Sequence, residues 1–484
     1  MGAIAAVVKR KGENAVPTVL SMLKRLEHRG TDAHGVATPN LTRTANSIEQ
    51  VTIKGMSSNV ALGHNLSRIL LEDRQQPVLG ANFTLAFDGR LFPASSVSAI
   101  DAILSMLASD PQKNASCIIK KLKGSYAFAI ACQDKVIAGR DTMGTTPLYY
   151  GKNETTSAIA SERKALWAIG IRDAESFLPG NLGLMSVRGF TFQPIETVKQ
   201  PSLKPIDMKT AAKQLQILLS ESTKERLSDT RKAAVAFSGG LDSSLAAILA
   251  RICRIEVQLI TVGLEDQHEL RHAKAAANAL GFPLHLQTYT QEDVEQTLPK
   301  VMWLIEEPDV MKVGVAIPIY WTAQIASKLG FRILLAGQGA DELFGGYQRY
   351  LRDCAAGDEF VRDSMYHDVM TCHEKNFQRD NQACSFHKME LRLPFADQNV
   401  VNFSLGLPTH LKIESPEDHL RKRILRLTAQ NLGMPPFIVN RRKKAVQYAT
   451  GVSKAVRRLA RRENLTLREY VRRIFRDLYP ETET

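Results

Sequence analysis

The chain has 484 residues, of which 44% are hydrophobic and 23% charged, so its length predicts two or three domains with sizeable cores. No apolar run approaches a membrane span, the N-terminus lacks the pattern of a signal peptide, and six cysteines are scattered along the chain. These features favour a cytoplasmic protein with free thiols and without a membrane partner. Of the net charge of +13, residues 441–476 hold thirteen Lys and Arg against two Asp and Glu, so the basic character belongs to the C-terminal end.

The first half of the chain is rich in short apolar or alternating runs that are typical of β-strands. They read AIAAVV, VTIKG, VALGH, FTLAFDG, YAFAIAC, KVIAGRD, LGLMSV and FTFQPI. A helical pattern, AVPTVLSMLKRLEHR, lies between the first two. Residues 1–190 therefore predict an α+β domain with layered antiparallel sheets, followed by a proline-containing linker at 191–205.

From residue 206 the pattern changes to buried strands that alternate with helices. The strands read AAVAF, VQLITVGL and RILLAGQG, which predicts an α/β domain with a parallel sheet over 206–452. Residues 453–484 form a basic tail with helical spacing of its apolar positions. We expect this tail to dock as an amphipathic helix on its own domain, and contact with nucleic acid, which we do not favour, is the alternative.

The stretch AFSGGLDSS, residues 236–244, stands between a buried strand and a helix. The first amides of a helix lack internal partners and attract anions, and glycines let the backbone approach a phosphate closely. No lysine follows the glycines, so this is not a Walker loop; an aspartate follows instead. A carboxylate beside a polyphosphate indicates Mg²⁺ between them. A serine-capped turn without a ligand is the plainer interpretation.

A second strand, RILLAG, runs into Gln338-Gly339-Ala340-Asp341-Glu342, again a glycine turn followed by carboxylates. Ligands of parallel sheets bind outside the carboxyl ends of the strands, so the two turns are expected to face one crevice. Asp242 and Asp341 would then hold one Mg²⁺–pyrophosphate unit.

These two motifs together resemble the synthetase domain of glutamine-dependent asparagine synthetases, in the class II amidotransferase superfamily. The resemblance continues through ITVGL (260–264), IEEPDV (305–310), NFQRD (376–380), LRLPFAD (391–397) and RRKKAVQYATGV (441–452). In the first half, LEHRGTDAHGVAT, LGHNLSRI, FDGRLF, GRDTMGTTPLYYG and IASERKAL resemble the glutaminase domain. The likeness reaches about Val452 and leaves out the basic tail.

The resemblance implies an amidotransferase-like (NTN-hydrolase) domain, then an adenine nucleotide hydrolase-like domain that uses ATP and Mg²⁺. It implies an AMP-forming ligase that adenylates a carboxylate, aspartate before others, and transfers ammonia or an amine to it. Lys443 or Lys444 would neutralise the phosphates, and a homodimer is compatible with the family. The residues expected around ATP and pyrophosphate are Ala236, Ser238, Gly239, Gly240, Leu241, Asp242, Ser243, Ser244, Val262, Gly337 and Gly339, with Asp242 and Asp341 on the metal.

The chain departs from the family at the glutaminase centre. Where the family has its N-terminal cysteine nucleophile, this chain has Gly2, which has no side chain to attack an amide. Leu66 stands for the arginine that clamps glutamine, and Asp88-Gly89-Arg90 replaces the family's Asn-Gly-Glu. An ionised aspartate cannot donate a hydrogen bond to an oxyanion. We therefore expect a folded domain that does not hydrolyse glutamine.

A second departure is Gln338, where the family has a glutamate able to take a proton from ammonia. This substitution leaves the identity of the nucleophile open. Three alternatives follow: a β-lactam-synthetase-like ligase acting on another amino-acid-type substrate, a non-catalytic regulator, and a nucleic-acid-modifying ATP pyrophosphatase. Only the basic tail favours the last, and the retained Asp242 and Asp341 argue against the regulator.

Overall fold

The computed structural model describes residues 1–265 and 267–480, which divide into two compact units. The first unit comprises Met1–Thr197 with Tyr479 and Pro480, and the second comprises Val198–Leu478. None of the helices in these described ranges is both long and apolar enough to cross a bilayer.

The first unit consists mainly of strands. Its strands are β1 (Gly2–Lys9), β2 (Ala33–Thr38), β3 (Leu41–Ala45), β4 (Val60–Leu66), β5 (Val78–Leu79), β6 (Thr84–Leu91), β7 (Gly124–Ala131), β8 (Val136–Arg140), β9 (Tyr149–Lys152), β10 (Thr156–Ala160), β11 (Glu175–Ser176), β12 (Asn181–Ser186) and β13 (Gly189–Pro194). Its helices are α1 (Val16–Arg25), α2 (Ala99–Leu107), α3 (Pro111–Lys121) and α4 (Arg163–Trp167).

These strands form two antiparallel sheets, with strand orders β11-β9-β10-β1-β4-β2-β3 and β13-β12-β8-β7-β6-β5. The period of two along β1 explains the layering, because successive side chains point to opposite faces. Ala3, Ala5 and Val7 pack in one buried cluster with residues of α1 and α4. Ile4, Ala6 and Val8 pack in another with alanines of β7. The predicted layered antiparallel domain is confirmed.

Two local predictions in this unit need correction. VTIKG, residues 51–55, is not a strand: Val51 is buried and Ile53 packs on the same core cluster from a loop, so burial alone produced the apolar pattern. Strand β13 pairs with β12 as far as Pro194, so the expected linker at 191–205 overlaps a strand at its beginning.

The second unit alternates helices and strands. Its strands are β14 (Lys232–Ala236), β15 (Glu256–Leu264), β16 (Leu284–Tyr289), β17 (Ile333–Leu335) and β18 (Glu390–Arg392). Its helices are α5 (Met208–Arg226), α6 (Leu241–Ile252), α7 (His268–Leu280), α8 (Gln291–Ile305), α9 (Val310–Lys328), α10 (Ala340–Phe344), α11 (Arg349–Ala356), α12 (Asp358–Cys372), α13 (Gln378–Ser385), α14 (Gln398–Leu405), α15 (Arg423–Asn431), α16 (Pro436–Val439), α17 (Val446–Ala449), α18 (Val452–Arg462) and α19 (Leu467–Leu478).

The five strands of the second unit form one parallel sheet in the order β16-β15-β14-β17-β18, which confirms the predicted α/β layout. The three strands recognised in the sequence, β14, β15 and β17, are its three central strands. They read as continuous apolar runs because helices cover both faces of such a sheet.

Within residues 453–480, the basic tail forms two helices rather than one. Residues 463–466 separate α18 from α19, and both helices pack on α8 and α9. Val456 and Leu459 are buried there, whereas Arg457 and Arg458 are exposed. The tail therefore docks on its own unit through the apolar face that the spacing predicted.

Candidate active site

The two glycine turns lie side by side at the carboxyl edge of the parallel sheet. Strand β14 leads through residues 237–240 into α6, and its neighbour β17 leads through residues 336–339 into α10. A Cβ on Gly337 would lie 2.8 Å from the Cβ of Asp242, so only glycine allows this close approach. Val262 lies two residues beyond the β15 partner of Ala236, at the same edge.

The turn after β14 is held in shape by its own hydroxyl groups. The amide of Ser238 donates to Ser243 Oγ at 3.2 Å, and the amide of Gly240 donates to Ser238 Oγ at 3.3 Å. Gly239 has φ +68°, and its carbonyl is 2.9 Å from Nε2 of His272 on α7. Leu241 and Ser244 are buried in the first turn of α6. A pre-shaped glycine turn at a helix N-terminus is suited to bind a phosphate.

Two carboxylates and two amines form the charged centre of this edge. Lys422 Nζ lies 2.7 Å from Asp242 Oδ1 and 2.6 Å from Asp341 Oδ1. Lys443 Nζ lies 2.5 Å from Asp341 Oδ2 and 3.6 Å from Asp242 Oδ2. The structure therefore brings together the two predicted metal carboxylates, and the place between them is one that favours a cation.

The amines keep the carboxylate of Asp341 ionised. Burial alone would raise the pKa of Asp341, but Lys422 and Lys443 outweigh it and hold this pKa well below its ordinary value. Burial alone would lower the pKa of Lys443, but Asp341 and Asp242 raise it. Asp341 and Lys443 therefore form a charged pair rather than a neutral acid and a neutral amine.

Lys422 was missed in the sequence because nothing in DHLRKRILRL distinguishes it from the other basic residues there. The backbone does distinguish Lys422. Arg421 and Lys422 have φ of 50° and 54°, a left-handed conformation that residues other than Gly, Asn and Asp rarely adopt. Arg426 Nε donates to the carbonyl of Arg421 at 2.6 Å and supports this conformation. Backbone strain of this kind is concentrated at functional sites.

The two candidate lysines of the RRKK segment have different surroundings. Lys443 contacts both aspartates, as described above, whereas Lys444 Nζ lies 2.8 Å from Glu269 Oε1 and is half exposed. Glu269 also pairs with Arg441. Of the two, only Lys443 belongs to the charged centre.

Gln338 occupies the turn after β17 and begins a chain of buried polar contacts. Its Nε2 donates to Asp380 Oδ2 at 2.6 Å, and Arg379 Nε donates to Asp380 Oδ1 at 2.7 Å. Gly339, with φ +94°, immediately precedes the short helix α10 that carries Asp341. Burial raises the pKa of Glu342 on the same helix, with the Asp341 charge adding to it.

Asp380 is reached through an irregular segment. Residues His373–Phe377 form one wide, π-helical turn between α12 and α13. Within it, Asn376 Nδ2 donates to Glu342 Oε1 at 2.7 Å. Such turns are rare and are frequent at functional sites, and apolar periodicity does not predict them.

In the first unit, position 2 is closed to any side chain. Gly2 pairs with Leu66 in the β1–β4 ladder, and a Cβ on Gly2 would lie 1.8 Å from the carbonyl oxygen of Asn65. Leu66 itself is buried. A thiol could not be placed here without moving β4.

The other altered glutaminase positions have structural contacts. Asp88 Oδ1 accepts from the amide of Gly2 at 2.7 Å, and its Oδ2 is 3.5 Å from Arg29 Nη2. Arg90 makes two bonds to Asp73, at 2.9 and 3.1 Å. Gly89 has φ +136°, and a Cβ there would lie 2.1 Å from the Ser125 carbonyl. In their present contacts these residues stabilise the unit.

Comparison with known families agrees with this arrangement. The asparagine synthase model matches residues 214–360 and 353–484, and a glutamine amidotransferase domain model matches 89–168. The first match covers more than half of the chain and includes the basic tail, so the likeness extends further than the motifs up to Val452 indicated.

The relatives point to the same family. A protein of Methanocaldococcus jannaschii that carries the name of a glutamine-hydrolysing asparagine synthetase is 29% identical, over 96% of both chains. The asparagine synthetase of Sandersonia aurantiaca is 26% identical, over 90% of this chain and 83% of its own. Among solved structures, glutamine phosphoribosylpyrophosphate amidotransferase from B. subtilis is 16% identical, with a TM-score of 0.35 over 59% of this chain and 65% of its own. The chain belongs to the asparagine synthase family, whose members are ATP-dependent amide ligases.

Proposed function

We propose that this protein is an AMP-forming ligase that adenylates the side-chain carboxylate of aspartate and transfers free ammonia to it. The observation that carries this proposal is the charged centre of Asp242, Asp341, Lys422 and Lys443 beside a pre-shaped glycine turn. Aspartate is preferred over a larger amino-acid substrate because the matching relatives are named for asparagine synthesis.

In this proposal the glycine turn binds the phosphate groups and the two aspartates bind the cation. The turn of Ser238, Gly239 and Gly240, with the N-terminus of α6, would bind the pyrophosphate end of ATP through its amides and hydroxyls. Asp242 and Asp341 fit Mg²⁺, because they are two carboxylates around a cation position and leave other ligand places to phosphate oxygens. When bound there, Mg²⁺ would neutralise phosphate charge.

Lys443 and Lys422 would stabilise the negative charge that develops on the leaving pyrophosphate. A carboxylate oxygen of the substrate attacks the α-phosphorus, the bond to pyrophosphate breaks, and an acyl-adenylate forms. Ammonia then attacks the acyl carbon, AMP leaves with the bonding electron pair, and the amide nitrogen releases its extra proton to solvent. A positioned cation in such a site contributes on the order of 10²–10³ in rate.

We further propose that the first unit does not supply ammonia from glutamine. The reason is steric as well as chemical: Gly2 has no nucleophile, and its Cα is packed against the backbone of Asn65. Nitrogen would then enter as free ammonia or from a partner. We also propose a cytoplasmic location, supported by six cysteines without disulfides. A homodimer is proposed from the family resemblance alone.

Exchange of label between pyrophosphate and ATP in the presence of aspartate tests the adenylation half-reaction. We expect exchange in the wild type and a loss of about 10²-fold or more in Lys443→Met. Lys444→Met is the matched control, because it is the neighbouring lysine and pairs with Glu269 instead. Equal losses in both variants, or no exchange in the wild type with any amino-acid carboxylate, would refute the proposal.

A further inference from the structure

In the carboxamide of Gln338, the nitrogen is hydrogen-bonded and the oxygen, among the residues that the structure describes, is not. Its Nε2 donates to Asp380 Oδ2 at 2.6 Å, whereas its Oε1 has no hydrogen-bond partner within residues 1–265 and 267–480. The side chain is partly exposed, in the turn between Gly337, which touches Asp242, and the helix that carries Asp341. Its oxygen is therefore a hydrogen-bond acceptor available at the site.

Asp380 dictates this orientation. Asp380 is fully buried, and its other oxygen accepts from Arg379 Nε at 2.7 Å. Burial alone would lower the pKa of Arg379, but the Asp380 charge raises it, so the guanidinium beside Asp380 stays charged. Both oxygens of Asp380 accept hydrogen bonds in these contacts, and therefore Gln338 turns its NH₂ group toward Asp380.

Arg379 is itself fixed from the other side. Its Nη1 donates to the carbonyl of Lys375 at 3.0 Å and to Asn376 Oδ1 at 3.3 Å, both in the π-helical turn. Asn376 is in turn bonded to Glu342 at 2.7 Å. Asp380 thus has a rigid support, which a residue needs if it is to hold another side chain in one orientation.

We propose that Asp380 is a positioning residue that presents the carboxamide oxygen of Gln338 to the N–H groups of the incoming ammonia or amine. This inference rests on the proposed ligase function and deepens it. An amide oxygen accepts a hydrogen bond from the nucleophile but takes no proton from it, so the substrate is the neutral amine, whose lone pair remains free to attack. The proton leaves to solvent once the new C–N bond has formed and AMP has departed.

Asp380→Asn tests the role of Asp380. Arg379 would hold the Asn oxygen, the Asn NH₂ would face Gln338, and the carboxamide of Gln338 would turn round and present a donor to the amine. We expect the KM for ammonia to rise about tenfold or more, while aspartate-dependent ATP–pyrophosphate exchange stays within about twofold of the wild type. Asp368→Asn is the matched control, since Asp368 is a buried, arginine-paired aspartate of the same unit; we expect it to leave both values unchanged.

The double variant Gln338→Glu/Asp380→Asn exchanges acid and amide. The introduced Asn NH₂ would donate to one oxygen of the introduced glutamate carboxylate, and the other oxygen would again accept from the amine, so we expect the KM for ammonia to recover. Gln338→Glu alone would place two carboxylates against each other and is expected to be worse than the double variant.

The outcomes distinguish the positioning role from the proposed function. Loss of exchange and of ammonia use in parallel in Asp380→Asn, or no recovery in the double variant, overturns the positioning role. An absence of exchange in the wild type overturns the proposed function and the positioning role together. Circular dichroism and thermal unfolding of each variant establish that it is folded before its kinetics are compared.

Discussion

Gly2 illustrates how much of this protein's chemistry depends on single residues. Its missing side chain could be read from the sequence, but the reason that none fits could not. The register of β1 against β4 places the Asn65 carbonyl where a Cβ would be. Position 2 thus has no nucleophile, and the register of the two strands leaves no space for one.

Gly2→Cys is therefore expected to destabilise the protein rather than to restore glutaminase activity. A contact of 1.8 Å must be relieved by moving backbone, which costs about 1–3 kcal/mol or more. Thermal unfolding and glutamate release from glutamine measure the two effects. A stable variant that hydrolyses glutamine would contradict this prediction, since it would require the backbone of Asn65 and Leu66 to shift.

Lys422 is the site residue that the structure identifies and the sequence analysis did not. We expect Lys422→Met to reduce ATP–pyrophosphate exchange by about 10²-fold or more, because Asp242 and Asp341 lose one of the two amines that they share. Lys454→Met, at an exposed position of α18, is the control. Unchanged exchange in Lys422→Met would mean that this amine only balances charge in the nucleotide-free protein.

Lys412 provides a test through pH. Burial, with a smaller contribution from Arg362, lowers the pKa of Lys412 to about 7, whereas an unfolded lysine titrates near ~10.4. Between these values the unfolded chain binds a proton that the folded chain does not, so this residue makes stability rise with pH.

Lys412→Met removes that dependence. Measured by denaturant unfolding, the variant should be more stable than the wild type at pH 7, with a difference that shrinks toward pH 10. A difference that does not change with pH would contradict the assigned pKa shift of Lys412.

At the scale of elements, the strands and turns that could be predicted are those with a strong local sequence pattern. The three central parallel strands and both glycine turns were predictable, since a continuous apolar run is typical of a strand covered on both faces and glycines before a helix are typical of a tight turn. VTIKG was predicted as a strand and is a loop, because Val51 is buried and Ile53 is half-buried without a partner strand. The π-helical turn that carries Asn376 had no signal at all.

The tail helices allow a direct test of an element. Leu459 is fully buried, so Leu459→Ala should lower the free energy of unfolding by about 2–5 kcal/mol. The adjacent Arg458 is exposed, and Arg458→Ala should change it by no more than about 0.5 kcal/mol. Similar effects of the two substitutions would contradict docking through the apolar face.

At the scale of the whole molecule, the two units differ in how much of the site could be predicted from the sequence. The second unit keeps its two acidic turns, and tertiary structure adds the lysines that no local pattern could assign to them. The choice between Lys443 and Lys444 could not be made from sequence, because adjacent residues in a loop have no predictable direction. The first unit has the predicted layered sheets, and the residues that depart from the expected glutaminase pattern make strand-to-strand and ion-pair contacts.

The most direct test of the proposed function is asparagine formation from aspartate and Mg-ATP, measured by chromatography with either ammonium or glutamine as nitrogen source. We predict asparagine, AMP and pyrophosphate in equal amounts with ammonium, none above background with glutamine, and loss of all three in Asp242→Ala. Asparagine and glutamate formed from glutamine by the purified protein would contradict the proposal at its centre, because Gly2 leaves no nucleophile at that position to release ammonia.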